Sequence, residues 1–283
     1  MIMQWFVKLW QMVQGLAQNH PLVVSYVQLL GGKSALFLLF VLLAWLGAKL
    51  YKRPEQALFD INWSMGSVAE VFFMFLVFQM VSLYFKNPFM DSDDLEGIVS
   101  AWSIVEYIFL FVLLWFVVRF VHRKGLAYLG WRLPDPAADA RVAYKGILFI
   151  CLLALLTYFL YWTEILAPSI KIIHKMTLAT LFSNGLFSVL QIVLVLLVSP
   201  VCEETFYRGF VYPVLRNSLP KGLAIVLVSL FFAAVHYQWH FMPLLFILSC
   251  ALTQAYDTTR RLTASVLIHS FYNLLILFGF FSY

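Results

Sequence analysis

The sequence predicts an all-α, polytopic membrane protein: a helical bundle of about eight transmembrane helices around an intramembrane polar cavity. Of its 283 residues, 63% are hydrophobic and only 12% are charged, and the mean hydropathy of +0.88 is outside the usual range of soluble domains. Long apolar runs recur along the chain, and a segment in lipid must close its hydrogen bonds internally. The alternating pattern of membrane strands is absent, so a helical bundle is predicted and a barrel is excluded.

The apolar stretches give the individual elements. They fall near 34–50, 63–85, 98–121, 146–166, 182–201, 223–239, 241–256 and 262–281. The last three are short, closely connected and contain ionisable residues, which is typical of helices that line a polar cavity. Before the first span, apolar residues recur at helical spacing and predict a helix lying in the membrane interface: Trp5, Phe6, Leu9, Trp10, Val13 and Leu16.

Basic residues indicate how the chain crosses the membrane. They cluster at alternate span ends, for example at Lys49 and Lys52 and again at Arg119 and Arg123, and such ends are cytoplasmic. Because the charge lies at span ends, the formal net charge of +5 reflects topology, and no nucleic-acid partner is expected. The expected partners are the lipid bilayer and a peptide or membrane-protein substrate.

A polar interruption at 125–144 divides the chain into two parts. Residues 1–124 are interpreted as the interfacial helix followed by accessory transmembrane helices. Residues 125–283 carry every motif that indicates chemistry and are interpreted as the catalytic core.

The first of these motifs places Glu203, Glu204 and Arg208 directly after an apolar run. Ionisable groups at membrane depth cost several kcal/mol each, so such a cluster indicates a functional site. Glu204 and Arg208 are spaced i, i+4 and can pair on one helix face, whereas Glu203 is rotated by about 100° and is the freer base. The two neighbouring carboxyls can therefore hold different protonation states, as acid and base chemistry requires.

Two histidine motifs follow on separate helices: Phe232 with His236, and His269 with Asn273. In the second motif, imidazole and carboxamide share one helix face and could donate hydrogen bonds to an oxyanion. Counting from the turn at Pro220 places Glu203 and His236 level, at roughly 20–25 Å from it. His269 is only about 12 Å from the start of its helix, so this last helix must start deeper or tilt for the groups to meet.

The ordered motifs EExxxR, FxxxH and HxxxN resemble the CAAX protease and bacteriocin-processing family, which includes type II CAAX prenyl endopeptidases and bacterial Abi proteins. The resemblance covers roughly residues 125–283, where "LGWRLPDP" is similar to the cytoplasmic segment before the family core. It implies an intramembrane endopeptidase in a bacterial cell membrane that cleaves near the cytoplasmic leaflet, with the active site open toward the cytoplasm. The first 120 residues match no signature of the family.

The resemblance also implies roles for single residues. Glu203 and His236 would position and deprotonate a water, and His269 with Asn273 would stabilise the tetrahedral oxyanion. The residues expected to shape the site are Glu204, Arg208 and Phe232.

Several alternatives stay open on the sequence alone. No cofactor is expected, but a divalent metal such as zinc is an alternative, because Glu203, His236 and His269 are competent ligands. The glutamates and arginine could instead form a structural ion pair. At the level of function, the alternatives are a non-catalytic membrane partner or bacteriocin immunity protein on the same fold, and a transporter, although no repeated halves are visible.

Overall fold

The computed structural model confirms the predicted all-α membrane bundle. It describes residues 21–51, 57–86, 95–133, 135–162, 186–238 and 241–278. Every regular element within these ranges is helical. The predicted interfacial helix near Trp5 to Leu16 lies outside the described residues.

The first three helices are long and apolar enough to cross a membrane. They are α1, Pro21–Leu50, α2, Met65–Lys86, and α3, Leu95–Phe116, which continues into a π-helical turn, Val117–Val121. Large apolar side chains on their outer faces are exposed, including Leu38, Leu42 and Trp45 of α1. A contiguous apolar surface of this kind is unfavourable in water, so these faces belong against lipid.

The polar joint between the two parts of the chain is folded onto the later helices. A short 3₁₀ helix, Leu126–Leu129, ends at Gly130, whose φ of 94° lies in the left-handed region that favours glycine. The Gly130 carbonyl accepts a hydrogen bond from Leu262 N at 3.1 Å, and the Trp131 indole donates to Thr205 Oγ1 at 3.1 Å. The "LGWR" segment is thereby fixed beside the glutamate-bearing helix.

The glutamate-bearing helix, α5, runs continuously from 186 to 216 but is not uniformly α-helical. Its α-helical parts are Leu186–Val193, Ser199–Glu204 and Tyr212–Arg216, and its π-helical parts are Leu194–Val198 and Thr205–Val211. Each π segment directly precedes an α segment that has a proline in its first turn, Pro200 and Pro213. Because a proline ring displaces the carbonyl four residues back, the widened π turn accommodates it.

The remaining helices are α4, Pro136–Trp162, before α5, and α6, Lys221–Val235, α7, Met242–Thr259, and α8, Leu262–Leu277, after it. Helices α1 to α5 contain the five candidate spans. Helices α6 and α8 are shorter apolar helices. The prediction that the last helices are short is confirmed for α6 and α8.

The two predicted parts of the chain pack on one another. Phe40 of α1 stacks on Phe231 of α6 with ring centroids 4.5 Å apart. Asn217, at the end of α5, accepts hydrogen bonds from the backbone N–H groups of Leu58 and Phe59 at 3.0 and 2.9 Å and donates to Phe59 O. The boundary near residue 124 stays a prediction, and the first part is anchored directly to the helix that carries the glutamates.

Candidate active site

Glu203 and Glu204 end the short α-helical segment between the two π segments of α5. A π turn changes the direction in which successive side chains point, and such turns are frequent at functional sites. Both glutamates are buried, and the Glu204 side chain is completely inaccessible. Despite their adjacency, the two carboxylates have separate sets of partners.

Glu203 has one satisfied oxygen and one free oxygen. Its Oε1 accepts hydrogen bonds from the Tyr107 hydroxyl of α3 and from Ser199 Oγ, both at 2.6 Å. Its Oε2 is buried and has no hydrogen-bond partner among the described residues. The two donors therefore hold the carboxylate in place while its second oxygen stays available.

His236 follows α6 directly and faces that free oxygen. Its Nδ1 lies 2.6 Å from the Phe232 carbonyl oxygen. A carbonyl can only accept, so Nδ1 carries the proton and Nε2 is the basic nitrogen of the neutral ring. Phe232 O is also one of the last carbonyls of the helix, which lack a partner within it. Nε2 of His236 lies 3.9 Å from Oε2 of Glu203, so the predicted level placement of these residues is observed.

Both groups line a cavity of about 370 Å³. Its wall combines Glu203, Phe206 and Tyr207 of α5 and His236 after α6 with side chains of α1, α2 and α3, including Tyr107. The cavity thus lies between the two parts of the chain, with most of its wall contributed by the first part.

Glu204 belongs to a second, buried network, in which its Oε2 has no hydrogen-bond partner among the described residues. Its Oε1 accepts from Arg208 Nη1 and from His269 Nδ1, both at 2.8 Å. Arg208 also donates from Nη2 to Ser249 Oγ at 2.6 Å and from Nε to Thr253 Oγ1 at 3.4 Å on α7. The i, i+4 pairing predicted for Glu204 and Arg208 is observed. A buried charge pair needs further hydrogen bonds to offset its desolvation, and the α7 hydroxyls supply them on the side of Arg208.

Phe232 connects the two sets of residues. The guanidinium carbon of Arg208 lies 4.8 Å from the centroid of its ring, the His236 ring is at 4.5 Å, and the His269 ring is at 5.9 Å in an edge-to-face arrangement. The phenylalanine therefore packs against both histidines, and its predicted site-shaping role stays a prediction.

The HxxxN motif on α8 lies against α5. Asn273 donates from Nδ2 to Val195 O at 2.8 Å, within the first π segment of α5. One amide hydrogen of Asn273 is therefore used to hold α8 on α5, and the second remains.

The structure brings the four predicted catalytic residues into the same region but into different settings. Glu203 and His236 lie on the cavity wall, whereas His269 and Asn273 are not among its described lining residues. His269 bonds to Glu204 instead of Glu203. The catalytic roles of all four stay predictions. In the described part of the chain, no group of three His, Cys, Asp or Glu side chains is placed to hold a metal ion, so the zinc set of Glu203, His236 and His269 is not assembled.

Sequence reasoning missed the two hydroxyls that bind Glu203. Ser199 precedes Glu203 by four residues, so helical spacing alone could have identified it. Tyr107 comes from α3, 96 positions away, and no local pattern indicates it. Ser249 and Thr253 are another i, i+4 pair of small polar residues in an apolar helix, a signal that the sequence does carry.

Comparison with known proteins agrees with the ordered motifs. Residues 185–275 match the family model described as type II CAAX prenyl endopeptidase Rce1-like, a range that includes all three motifs. The UPF0177 protein YaiF of Lactococcus lactis subsp. lactis (strain IL1403) is 26% identical over 219 residues, which cover 74% of this chain and 94% of that protein. No solved structure matches the chain. The resemblance inferred from the motifs is thereby confirmed, and the family points to a CAAX-protease type of hydrolase.

Proposed function

We propose that the protein is an intramembrane endopeptidase that hydrolyses a peptide bond of a membrane-associated or peptide substrate. The observation that carries the proposal is the unpartnered Glu203 Oε2 facing His236 Nε2 at 3.9 Å on a cavity wall. Both atoms are acceptors, and a water molecule has two hydrogens to donate. A water lying about 2 Å to one side of the line between them could donate to both at about 2.8 Å.

In the proposed reaction, Glu203 acts as the general base. The water oxygen forms a bond to the carbonyl carbon while one of its protons passes to Oε2 of Glu203. When the carbon–nitrogen bond breaks, this proton is delivered to the leaving amine nitrogen, and the products are a carboxylic acid and an amine. His236 orients the water through Nε2, and Tyr107 and Ser199 keep Glu203 in position through Oε1.

His269 is proposed to stabilise the oxyanion, together with Asn273. The Glu204 carboxylate accepts from Nδ1 of His269 and so orients the ring, and the proposed role requires a proton on Nε2 as well, so that Nε2–H can donate to the oxyanion. Asn273 retains one amide hydrogen beyond its bond to Val195 O. A preorganised donor that meets developing charge in a water-poor site contributes strongly to catalysis.

The proposal is tested by incubating purified protein in detergent with candidate membrane-anchored and soluble peptides, with and without a chelator, and identifying products by mass spectrometry. We expect two fragments whose summed mass exceeds that of the parent peptide by one water. Loss of cleavage in the presence of the chelator would show that a metal takes part. Absence of cleavage, together with an unchanged cellular phenotype when Glu203, His236 and His269 are replaced singly, would instead support the non-catalytic partner.

A further inference from the structure

The cavity wall contributed by the first part of the chain carries its own charges. Four ionic side chains line the cavity: Lys33 of α1, Lys86 of α2, Glu106 of α3 and Glu203 of α5. The wall also carries the polar side chains of Gln79, Ser103, Tyr107, Tyr207 and His236, and the remaining surface is largely apolar. Charges in such a setting need partners, since their desolvation is expensive.

Three of the four charges have close partners. Glu106 accepts from Lys86 Nζ at 2.6 Å and from Gln79 Nε2 at 3.3 Å, and it also accepts from the Ser82 hydroxyl. Glu203 accepts from two hydroxyls, as described above. These groups are held within the bundle by their neighbours.

Lys33 differs from them. Its half-buried side chain makes no hydrogen bond and no ion pair with any residue that the structure describes. Glu106 and Glu203 act on its charge only through space, and Lys33 in turn acts on His236. The ammonium group of Lys33, which donates to no residue that the structure describes, therefore lies within electrostatic reach of the water-activating pair.

We propose that Lys33 binds a carboxylate of the peptide substrate and so positions a nearby peptide bond at Glu203 and His236. This inference rests on the proposed function and adds to it that the substrate is an anionic peptide. A carboxylate fits because it accepts strong hydrogen bonds from an ammonium group and removes the cost of leaving that charge unpaired. The carboxylate has two sources in a peptide, the C-terminus and an acidic side chain.

The experiment measures binding, so that it does not depend on turnover. Immobilised Glu203→Gln protein in detergent is equilibrated with three libraries of apolar hexapeptides: free C-terminal acids, C-terminal amides, and amides with one internal glutamate. Retained peptides are quantified by mass spectrometry. We expect one carboxylate-bearing library to be retained about 10- to 100-fold more than the plain amides, and the library preferred identifies the source of the carboxylate.

Matched variants assign this preference to Lys33. Lys33→Met should abolish it and Lys33→Arg should retain it, whereas Lys49→Met, an exposed lysine of the same helix, should leave it unchanged. Equal retention of all three libraries, or a preference that survives Lys33→Met, overturns the assignment. Carboxylate-dependent retention without cleavage by the wild type would refute the endopeptidase activity and support the binding site at Lys33. Cleavage by the wild type without carboxylate-dependent retention would support the endopeptidase activity and refute the binding site.

Discussion

Buried charges are paired differently in the helices before the polar joint and in those after it. In the later helices, every charged member of the network of Glu204, Arg208 and His269 has an ionic partner, and the hydroxyls of α7 accept from Arg208, although Glu204 Oε2 has no hydrogen-bond partner among the described residues. In the earlier helices, Lys86 and Glu106 are also paired, but Lys33 faces the cavity with no hydrogen-bonding or ionic partner in the described part of the chain. The first arrangement supports a fixed site, and the second leaves a charge for a ligand.

This difference separates chemistry from recognition. The residues that match the Rce1-like family, 185–275, contain all three motifs. Much of the cavity wall, in contrast, comes from α1, α2 and α3, outside that match. A protein that shares the motifs can therefore differ in its earlier helices and accept a different substrate.

The largest effect on stability is expected when the buried network of the later helices loses its arginine. Arg208→Met leaves the Glu204 carboxylate buried without its cation and should lower the free energy of unfolding by about 3–5 kcal/mol. The midpoint of unfolding in a denaturing-detergent titration measures this loss. Arg216→Met, at the end of the same helix and partly exposed, is the matched control and should have a small effect. Equal stability of the Arg208 variant and the wild type would show that the network is dispensable.

Tyr107→Phe tests how the earlier helices support the chemistry of the later ones. It removes a hydrogen bond of 2.6 Å to Glu203, and a hydrogen bond to a charged group is typically worth about 1.5–3 kcal/mol. We expect cleavage to slow about 10- to 100-fold with little change in the unfolding midpoint. Tyr84→Phe, on the exposed face of α2, serves as the control. Unchanged kinetics for Tyr107→Phe would mean that α3 does not position the base.

Gly209→Ala tests the contact between the polar joint and α5. A Cβ at this position would come within 2.4 Å of the Leu129 carbonyl oxygen, a backbone atom that cannot move aside easily. The free energy of unfolding should fall by about 1–3 kcal/mol. At Gly222 an added Cβ meets nothing within 4 Å, so Gly222→Ala should be neutral or slightly stabilising. A tolerated Gly209→Ala would contradict the close packing of the "LGWR" segment.

The smallest effect is expected where Asp257 of α7 pairs with Lys221 at the start of α6. Burial raises the pKa of Asp257, but the hydrogen bond from Lys221 and the charge of Arg260 outweigh it, so the pKa lies below its ordinary value of 3.8. Its pairing with Lys221, at 2.9 Å, therefore contributes stability above pH 3.8 that is lost as the pH falls through the lowered pKa. Lys221→Met should cost less than about 1 kcal/mol at neutral pH. The difference from wild type, followed by thermal unfolding against pH, should fade in acid, and a difference that grows in acid would be inconsistent with the pair.

Local sequence patterns indicate the side-chain contacts of the later helices better than those of the earlier ones. Glu204 bonds to Arg208 four residues later, and His236 bonds to the carbonyl of Phe232 four residues earlier. Both contacts lie within one helix or at its end, so spacing in the sequence is enough to indicate them. Tyr107 and Lys33 reach the site only because α3 and α1 pack beside α5 and α6, and no spacing within either helix indicates this.

The position of His269 was predicted only in part. The HxxxN spacing placed it with Asn273 on one face of α8, which is observed to lie against α5. Which glutamate it bonds to depends on the two π segments of α5, since they set the direction of each side chain. A uniform 3.6-residue period does not contain that information.

The most direct test of the account is the rate of peptide cleavage by purified Glu203→Gln beside the wild type and Glu203→Asp, with the unfolding midpoint measured on each. Glutamine keeps the shape of the side chain and the acceptor for Tyr107 and Ser199 but cannot take a proton from water. If Glu203 is the general base, the rate falls about 10²- to 10⁴-fold while the unfolding midpoint stays that of the wild type. Full activity in Glu203→Gln would contradict the central claim that this carboxylate activates the water.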